Sequence, residues 1–512
     1  MKRLLTGALI LLTACRETPP EELTSPVFES FNTEVTADAA DITVTYSGSG
    51  GVVEAGVYVG ESIPDRRVVA TSSRKGRFTV HLSDLNPSTT YKYKAFLSSG
   101  LYEITSLEQS FTTLDPPEKP KVIVEGTRVT VQMENGRLET ILEEWNVKPG
   151  DIETLILIGS LAPEDFVFMQ EKATSLETLD LRETDVTVIP KMAFFGKKLL
   201  SSVLFPAGLI KIGDQAFGES GLERIDLPDS VEEIGVSAFS LCDRLKGTVI
   251  LPKALKTLGG AAFYECPGLT GVKIQDGLQS IGMSAFQYCY SLTGKLSLPE
   301  SLTEIGEQAF SGTDFRGDLV IPSGIRSIPT GAFNGSGFDG RLVLQGTVVE
   351  IGEGAFASNH FTGELKLPEG LRLIGNSAFL NAGFSGTLKL PASLKQLGVS
   401  AFLGNSFTGD LVIPENIKDI PASAFSCDLY LQQYTRVVLH KDVRTIGGAA
   451  FIPQEGFLKE VVCYNENPPQ LGDESFCSAE LPFISLRVPA DAVQRYREAA
   501  GWQEFGSISP IE

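Results

Sequence analysis

Histidine, tryptophan and positive charge are all scarce in this 512-residue chain. Its three histidines (His81, His360 and His440) and two tryptophans leave little material for a histidine-based metal or catalytic centre. Lys and Arg number 43 against 64 Asp and Glu, giving a net charge of -21. A nucleic-acid binder must meet the phosphate backbone with clustered Lys and Arg, so nucleic acid is not an expected partner. There is no G-x-S-x-G elbow, no P-loop, no metal-spaced Cys/His set and no calcium-binding G-G-x-G-x-D run. No apolar run reaches the roughly 20 residues needed to span a bilayer core. These absences predict a protein that is not an enzyme and needs no cofactor or metal.

What is plentiful is turn-forming residues, 51 Gly and 28 Pro, in a chain whose hydrophobic content of 42% is too high for disorder. The N-terminus places Lys2 and Arg3 before an apolar run over residues 4–14 (LLTGALILLTA) that ends at Cys15, the pattern of a secretory signal. Leu12-Thr13-Ala14-Cys15 resembles a bacterial lipobox, which implies cleavage after residue 14 and lipidation of Cys15. The polar stretch that follows, residues 15–26, reads as a tether. Residues 27–114 alternate apolar and polar positions in short runs between Gly, Ser, Pro and Asn turns, which predicts a β-sandwich. Within it, Leu85-Asn86-Pro87-Ser88-Thr89-Thr90-Tyr91-Lys92-Tyr93 and the closing Phe111-Thr112-Thr113 resemble fibronectin type III domains. The resemblance would make Tyr91 a tyrosine-corner residue and the domain a spacer. Residues 115–120 (DPPEKP) read as a stiff linker, because Pro fixes φ.

The rest repeats. Ala-Phe pairs recur with Phe at 194, 217, 239, 263, 286, 310, 333, 356, 379, 402, 425 and 451, and Ser475-Phe476 ends the series. The gaps run from 22 to 26 residues. Ile or Leu stands five residues before each Phe, Gly or Pro four before, and a strand-like L-x-L-P lies upstream, as in Leu296-Ser297-Leu298-Pro299. Fixed apolar positions can stack coil on coil, so the pattern predicts a mainly β solenoid of about 12–13 coils of ~23 residues, with short helical turns, stabilised by neighbour contacts. The order L-P … I-G-x-x-A-F resembles the leucine-rich repeats of the BspA-like bacterial surface-antigen family. On that resemblance residues 121–187 are an N-terminal cap, 188–476 the repeats and 477–512 a C-terminal cap. The resemblance implies binding to host matrix proteins or other surface ligands, and a lipoprotein on the outer membrane and cell surface of a Gram-negative bacterium.

Cys242, Cys266 and Cys289 follow their Phe by three residues and share one ladder, where buried thiols and disulfides are both admissible in an exported protein, with thiols favoured. Cys427, Cys463 and Cys477 fall at other phases, and a Cys463–Cys477 bridge is a further candidate. Phe315, Phe338, Phe361, Phe384 and Phe407 read as an aromatic spine of the core. Glu233, Glu304, Glu350 and Asp419 sit two or three coils apart, roughly 10–14 Å at a coil rise of about 4.8 Å. That is too far for most of them to act as a glycosidase pair. In each L-x-L segment the middle residue should face outward, as should the one before the first Leu. This predicts two stripes on one flat, wide sheet: Ser297, Val320, Val343, Lys366, Lys389, Val412 and Val438 in one, and Lys295, Asp318, Arg341, Glu364, Thr387 and Asp410 in the other. Their apolar centre, beside two lysines in an acidic molecule, is the candidate face for a protein ligand. A surface glycan-binding accessory lipoprotein and a structural envelope protein without a ligand remain the alternatives.

Overall fold

The computed structural model describes residues 24–48, 51–62, 64–74, 76–115, 122–133, 137–426, 434–452, 458–477 and 480–511. The expected signal segment, Cys15, nearly all of the tether and linker, and Cys427 lie outside these residues. The chain divides into two compact units, Met1–Lys119 and Pro120–Glu512.

The first unit is a pair of antiparallel sheets around one core. One sheet orders its strands as Val27–Val35, Ala40–Ser47, Arg77–Leu82 and Ser72–Arg74. The other runs Arg66–Val69, Glu54–Gly60, Thr90–Ser98 and Glu103–Thr105, with Gln109–Thr112 also on Thr90–Ser98. Strand alternation decides which side chains meet: Ile42, Val44 and Val80 from one sheet and Val57, Val59 and Ala95 from the other are all buried. The Asn86 N–H donates to the Tyr91 hydroxyl at 2.8 Å, tying the chain entering the Thr90 strand back onto that strand.

The second unit is a β-solenoid of about 15 turns with coils of ~24 residues. The Ala-Phe count falls short of this because the ends stack without the pair. Arg128–Met133, Thr154–Gly159, Thr178–Thr184 and Ser202–Leu204 are already parallel neighbours. So are Glu460–Cys463, Ser485–Val488 and Ser507–Pro510 at the other end. Val122–Glu125 closes the first edge antiparallel on Arg128–Met133. Buried Asp165 holds the turn there by accepting the N–H groups of Leu138 and Ala162, each at 2.8 Å. At the far end the Phe ladder runs onto Trp502, whose Nε1–H donates to the Pro469 carbonyl at 2.8 Å.

The repeated phenylalanines form one column. From Phe194 to Phe476 each ring stacks on the next, with centroids 5.2–5.7 Å apart. A second, shorter column starts at Phe315 and meets the first edge-on, as Phe356 meets Phe361 at 6.3 Å and 74°. The Gly four residues before Phe is set by crowding. A Cβ on Gly306 would stand 2.2 Å from the Met283 backbone nitrogen, and one on Gly398 would stand 2.3 Å from that of Asn376.

From Phe194 to Phe402 each Phe of the column lies between two left-handed residues, such as Gln215 (φ 54°) and Glu219 (φ 57°) around Phe217 or Ser284 (φ 56°) and Tyr288 (φ 62°) around Phe286. In a non-glycine residue this conformation costs roughly 1–2 kcal/mol. It turns alternate N–H groups along the solenoid axis: Gln215 donates to the Val236 carbonyl, Phe217 to Ala238 and Glu219 to Ser240, at 2.7–2.8 Å. The bonds to the next coil offset the strain.

Prolines decide where the coil-to-coil strand ladders break. The short Ile strands form three separate sheets, ending at Glu304–Ile305 and at Gln396–Leu397. The next coils in each case carry Pro329 and Pro421 where other coils have the Gly whose N–H donates backward, as Gly306 does to Ile281 at 2.8 Å. Pro has no N–H to give.

Candidate functional site

On the L-x-L face, strand pairing to the preceding coil is interrupted. Leu269–Lys273, Leu342–Leu344 and Tyr434–Leu439 pair back and are followed by Gln275, Gln345 and His440, and the end segments before Pro206 and Pro489 pair back as well. Coils ending in Pro299, Pro322, Pro368, Pro391 or Pro414 make no such pairing to the coil before them. This corrects the expectation of one flat, wide sheet. Ser297, Lys366 and Lys389 lie on segments without strand hydrogen bonding, while Val320 pairs with Val343 and Val412 with Val438.

The expected outward stripes are outward, with differences in degree. Val320 is 43% exposed, Val343 38% and Val412 54%, and Ser297, Lys366, Lys389 and Glu364 are exposed, whereas Val438 is half-buried. Much of the second stripe is occupied by ion pairs between coils. Arg341 reaches Asp318 at 2.8 Å, and Asp410, Arg436, Glu460 and Arg487 form a chain at 3.1, 2.7 and 2.7 Å. Asp318 is held below the usual carboxylate range by its hydrogen bond from Arg341. Lys295 and Glu364 are exposed.

Two adjoining cavities on this face meet around Val412. One, of about 660 Å³, is lined by Leu388, Lys389, Leu390, Asp410, Val412 and Pro414 among others. The other, of about 350 Å³, is lined by Val412, Ile413, Glu415, Val438, His440, Lys441 and Tyr464. They share Val412, Ile413 and Glu415, and the groove opens where the Leu388–Leu390 coil makes no ladder with the coil of Pro414. Of the expected residues, Thr387, Lys389, Asp410, Val412 and Val438 line it together, and Ser297, Val320, Val343, Lys366, Arg341 and Glu364 do not. Tyr464, 46% exposed, is a lining residue that the repeat pattern had no reason to single out, since it follows the last regular L-x-L segment.

The histidines are spoken for or isolated. His440 Nε2 lies 2.9 Å from the Ile417 carbonyl and its Nδ1 accepts the Asp442 N–H at 3.2 Å, an arrangement that fits the neutral Nε2–H tautomer with both nitrogens engaged. His360 is exposed on a turn, and His81 Nδ1 sits 2.7 Å from Asp41 in the first unit. Glu233 pairs with Lys211 at 2.8 Å, and Asp419 with Arg444. Among the described residues no group of three or more His, Cys, Asp or Glu is placed to hold a metal ion.

Cys242, Cys266 and Cys289 are free, buried thiols, each donating to the Phe carbonyl one coil back: Phe217 at 3.1 Å, Phe239 at 3.1 Å and Phe263 at 3.0 Å. The slot is a polar ladder rather than simple apolar packing. Ser336 fills it against the Phe310 carbonyl at 2.7 Å, and Asn359 and Asn405 against those of Phe333 and Phe379 at 2.8 and 2.7 Å. Burial pushes the Cys242 thiol up to about 11 and that of Cys289 up to about 12. Cys463 and Cys477 are free as well, so the candidate bridge does not form; the Cys463 sulfur lies 3.1 Å from the Tyr496 hydroxyl instead.

Stacked parallel coils carrying a ladder of inward Phe, Ile and Leu define a leucine-rich repeat protein of the β-solenoid kind. The chain matches the family described as BspA type Leucine rich repeat region, in six copies over stretches that together run from residue 164 to residue 456. It belongs to that family. Among solved structures it is similar to a leucine-rich repeat protein from Bacteroides ovatus (16% identity, 78% of this chain and 99% of that one, TM-score 0.38). It is also similar to the pneumococcal vaccine antigen PcpA (20%, 77% and 98%, TM-score 0.36) and to a leucine-rich repeat protein of T. pallidum (22%, 38% and 87%, TM-score 0.28). A comparison with curated proteins finds no match.

Proposed function

We propose that this protein is a lipid-anchored cell-surface adhesin that holds a protein ligand in the groove over Lys389, Val412 and Val438. The observation that carries the reading is the exposure of Val412 at the junction of two cavities, ringed by Lys389, Asp410, Glu415 and Lys441. Apolar surface rimmed by charge is the composition of a protein-contact core. The lipobox-like Leu12–Cys15 supports anchoring. The two-sheet unit, with its Tyr91 corner bond, supports a fibronectin type III-like spacer. A glycan ligand is favoured by one observation, the cluster in which Tyr288 stacks on Tyr290 at 5.7 Å and Tyr264 meets Tyr288 edge-on at 5.9 Å.

The test is retention of the full chain on immobilised, purified host matrix proteins. Val412→Glu with Val438→Glu should abolish retention that the unaltered chain shows, with circular dichroism unchanged. Retention that survives both substitutions but is lost on deleting residues 27–114 would move recognition to the two-sheet unit.

A further inference from the structure

Charges that meet between neighbouring coils of this solenoid are opposite in sign at several places: Asp318 stacks with Arg341, Asp410 with Arg436, Arg436 with Glu460, and Lys211 with Glu233. One edge differs. Arg372, Lys395, Lys418 and Arg444 occupy the same place in four successive coils, two residues before the Ile or Leu of the short strand. Backbone bonds join two pairs: the Lys395 N–H donates to the Arg372 carbonyl at 2.8 Å, and the Arg444 N–H to the Lys418 carbonyl at 2.7 Å, while between Lys395 and Lys418 the coils stack through Phe402 and Phe425, whose rings are 5.7 Å apart. All four side chains are exposed. Asp419 is engaged with Arg444 and Thr445, and among the described residues no carboxylate lies within ion-pair distance of Arg372, Lys395 or Lys418. Like charges facing each other across neighbouring strands are destabilising. Here four cations in a row make three such pairs in a molecule of net charge -21, where acidic residues are the commoner choice.

The column also borders a depression. A polar cavity of about 490 Å³ is lined by Lys395, Gln396, Asn416, Lys418, Asp419 and Arg444 among others, with Asp419 its one acidic lining residue. It shares only Asn416 with the Val412 groove.

We propose that Arg372, Lys395, Lys418 and Arg444 form a second binding site, for an acidic polysaccharide. Coil stacking sets one cation about every 4.8 Å. A linear glycan with a carboxylate or sulfate on successive sugars carries its charge at a similar sparse interval. Duplex nucleic acid carries one charge per ~1.7 Å of axis. Roughly three phosphates would face each cation, and the excess would meet the acidic surface around the column. Sparse polyanion charge fits and dense charge does not.

The experiment uses the full chain with polygalacturonate and alginate, each with one carboxylate per sugar, as probes, and with neutral dextran and duplex DNA beside them. At about 50 mM salt at least one of the two acidic glycans should be retained and neutral dextran should not, with affinity falling several-fold by about 200 mM. Lys395→Gln with Lys418→Gln should weaken that binding at least tenfold. Lys256→Gln is the control: Lys256 shares the column position but stands alone between Glu232 and Gln279, and its loss should change little. The proposal is overturned if neither acidic glycan binds, if the double variant binds as the unaltered chain does, or if DNA binds in their place.

Discussion

The Cys266 thiol donates to the carbonyl of Phe239, one coil back, at 3.1 Å. That bond recasts a repeated cysteine as one of several side chains performing a single task, closing a carbonyl that the left-handed turn leaves facing inward. Since Ser336 performs it in another coil, Cys266→Ser should cost less than Cys266→Ala, which leaves a buried acceptor unmet at about 1–3 kcal/mol. Urea unfolding of the two variants checks the order, and an equal loss would mean the hydrogen bond contributes nothing.

The same thiols make stability pH-dependent at the alkaline end. Their folded-state pKa values are raised from 9.0, so the unfolded chain releases these protons first as pH climbs. Stability from Cys242 and Cys289 is complete below about pH 9 and falls as pH rises toward 11 to 12. Cys463 and Tyr496 shift the same way, so the readout is a difference. Cys242→Ser with Cys289→Ser should flatten the decline in melting temperature between about pH 9 and 11 relative to the unaltered chain. Parallel curves would refute the assignment.

Two glycines that look alike in sequence should behave differently. Gly306→Ala drives a Cβ to 2.2 Å from a backbone nitrogen of the previous coil, which no side-chain adjustment relieves. Gly354 has open space around it and a φ of 58° that Ser377 and Ser400 adopt in the same slot of later coils. Gly354→Ala should therefore cost about 1 kcal/mol, and Gly306→Ala several times more. Thermal denaturation of both variants decides whether close approach or backbone freedom sets the consensus glycine.

Much of this architecture was legible because a repeat announces itself. The Ala-Phe period fixed the coil, the inward Phe and Ile columns and the outward Val320, Val343 and Val412. The left-handed pairs around Phe194 to Phe402 were not legible, since Gln215, Ser237 and Leu241 carry no glycine signature and the neighbouring coil, not local preference, stabilises them. Nor was the broken ladder of the short Ile strands, although its cause is written in the chain: Pro329 and Pro421 withhold donors that matter only once coils are stacked. The Val412 groove opens at an interruption of the L-x-L ladder that Pro alone does not explain, since the segments before Pro206 and Pro489 pair. The cationic column is invisible to a net charge of -21, because it arises from one residue per coil.

Phe356 lies mid-column, stacked on Phe333 at 5.7 Å and Phe379 at 5.5 Å and met edge-on by Phe361. Phe356→Ala removes three aromatic contacts at once and should cost about 3–5 kcal/mol. Because each coil touches only its neighbours, the loss should also uncouple the two halves, broadening the melting transition or splitting it. A sharp, unshifted transition would contradict the stacked column.

The proposed lipid anchor would rest on Cys15, whose thiol would take the lipid that the lipobox-like stretch implies. Cys15→Ser leaves the apolar run of residues 4–14 intact, so export should continue while the attachment is lost. The unaltered protein should sediment with membranes and stay there through a high-salt wash, which removes proteins held by charge but not by acyl chains. The serine variant should appear in the soluble fraction. If it remains with the membranes after that wash, something other than Cys15 holds it there, and the surface-lipoprotein part of the proposal fails while the solenoid and its groove stand unaffected.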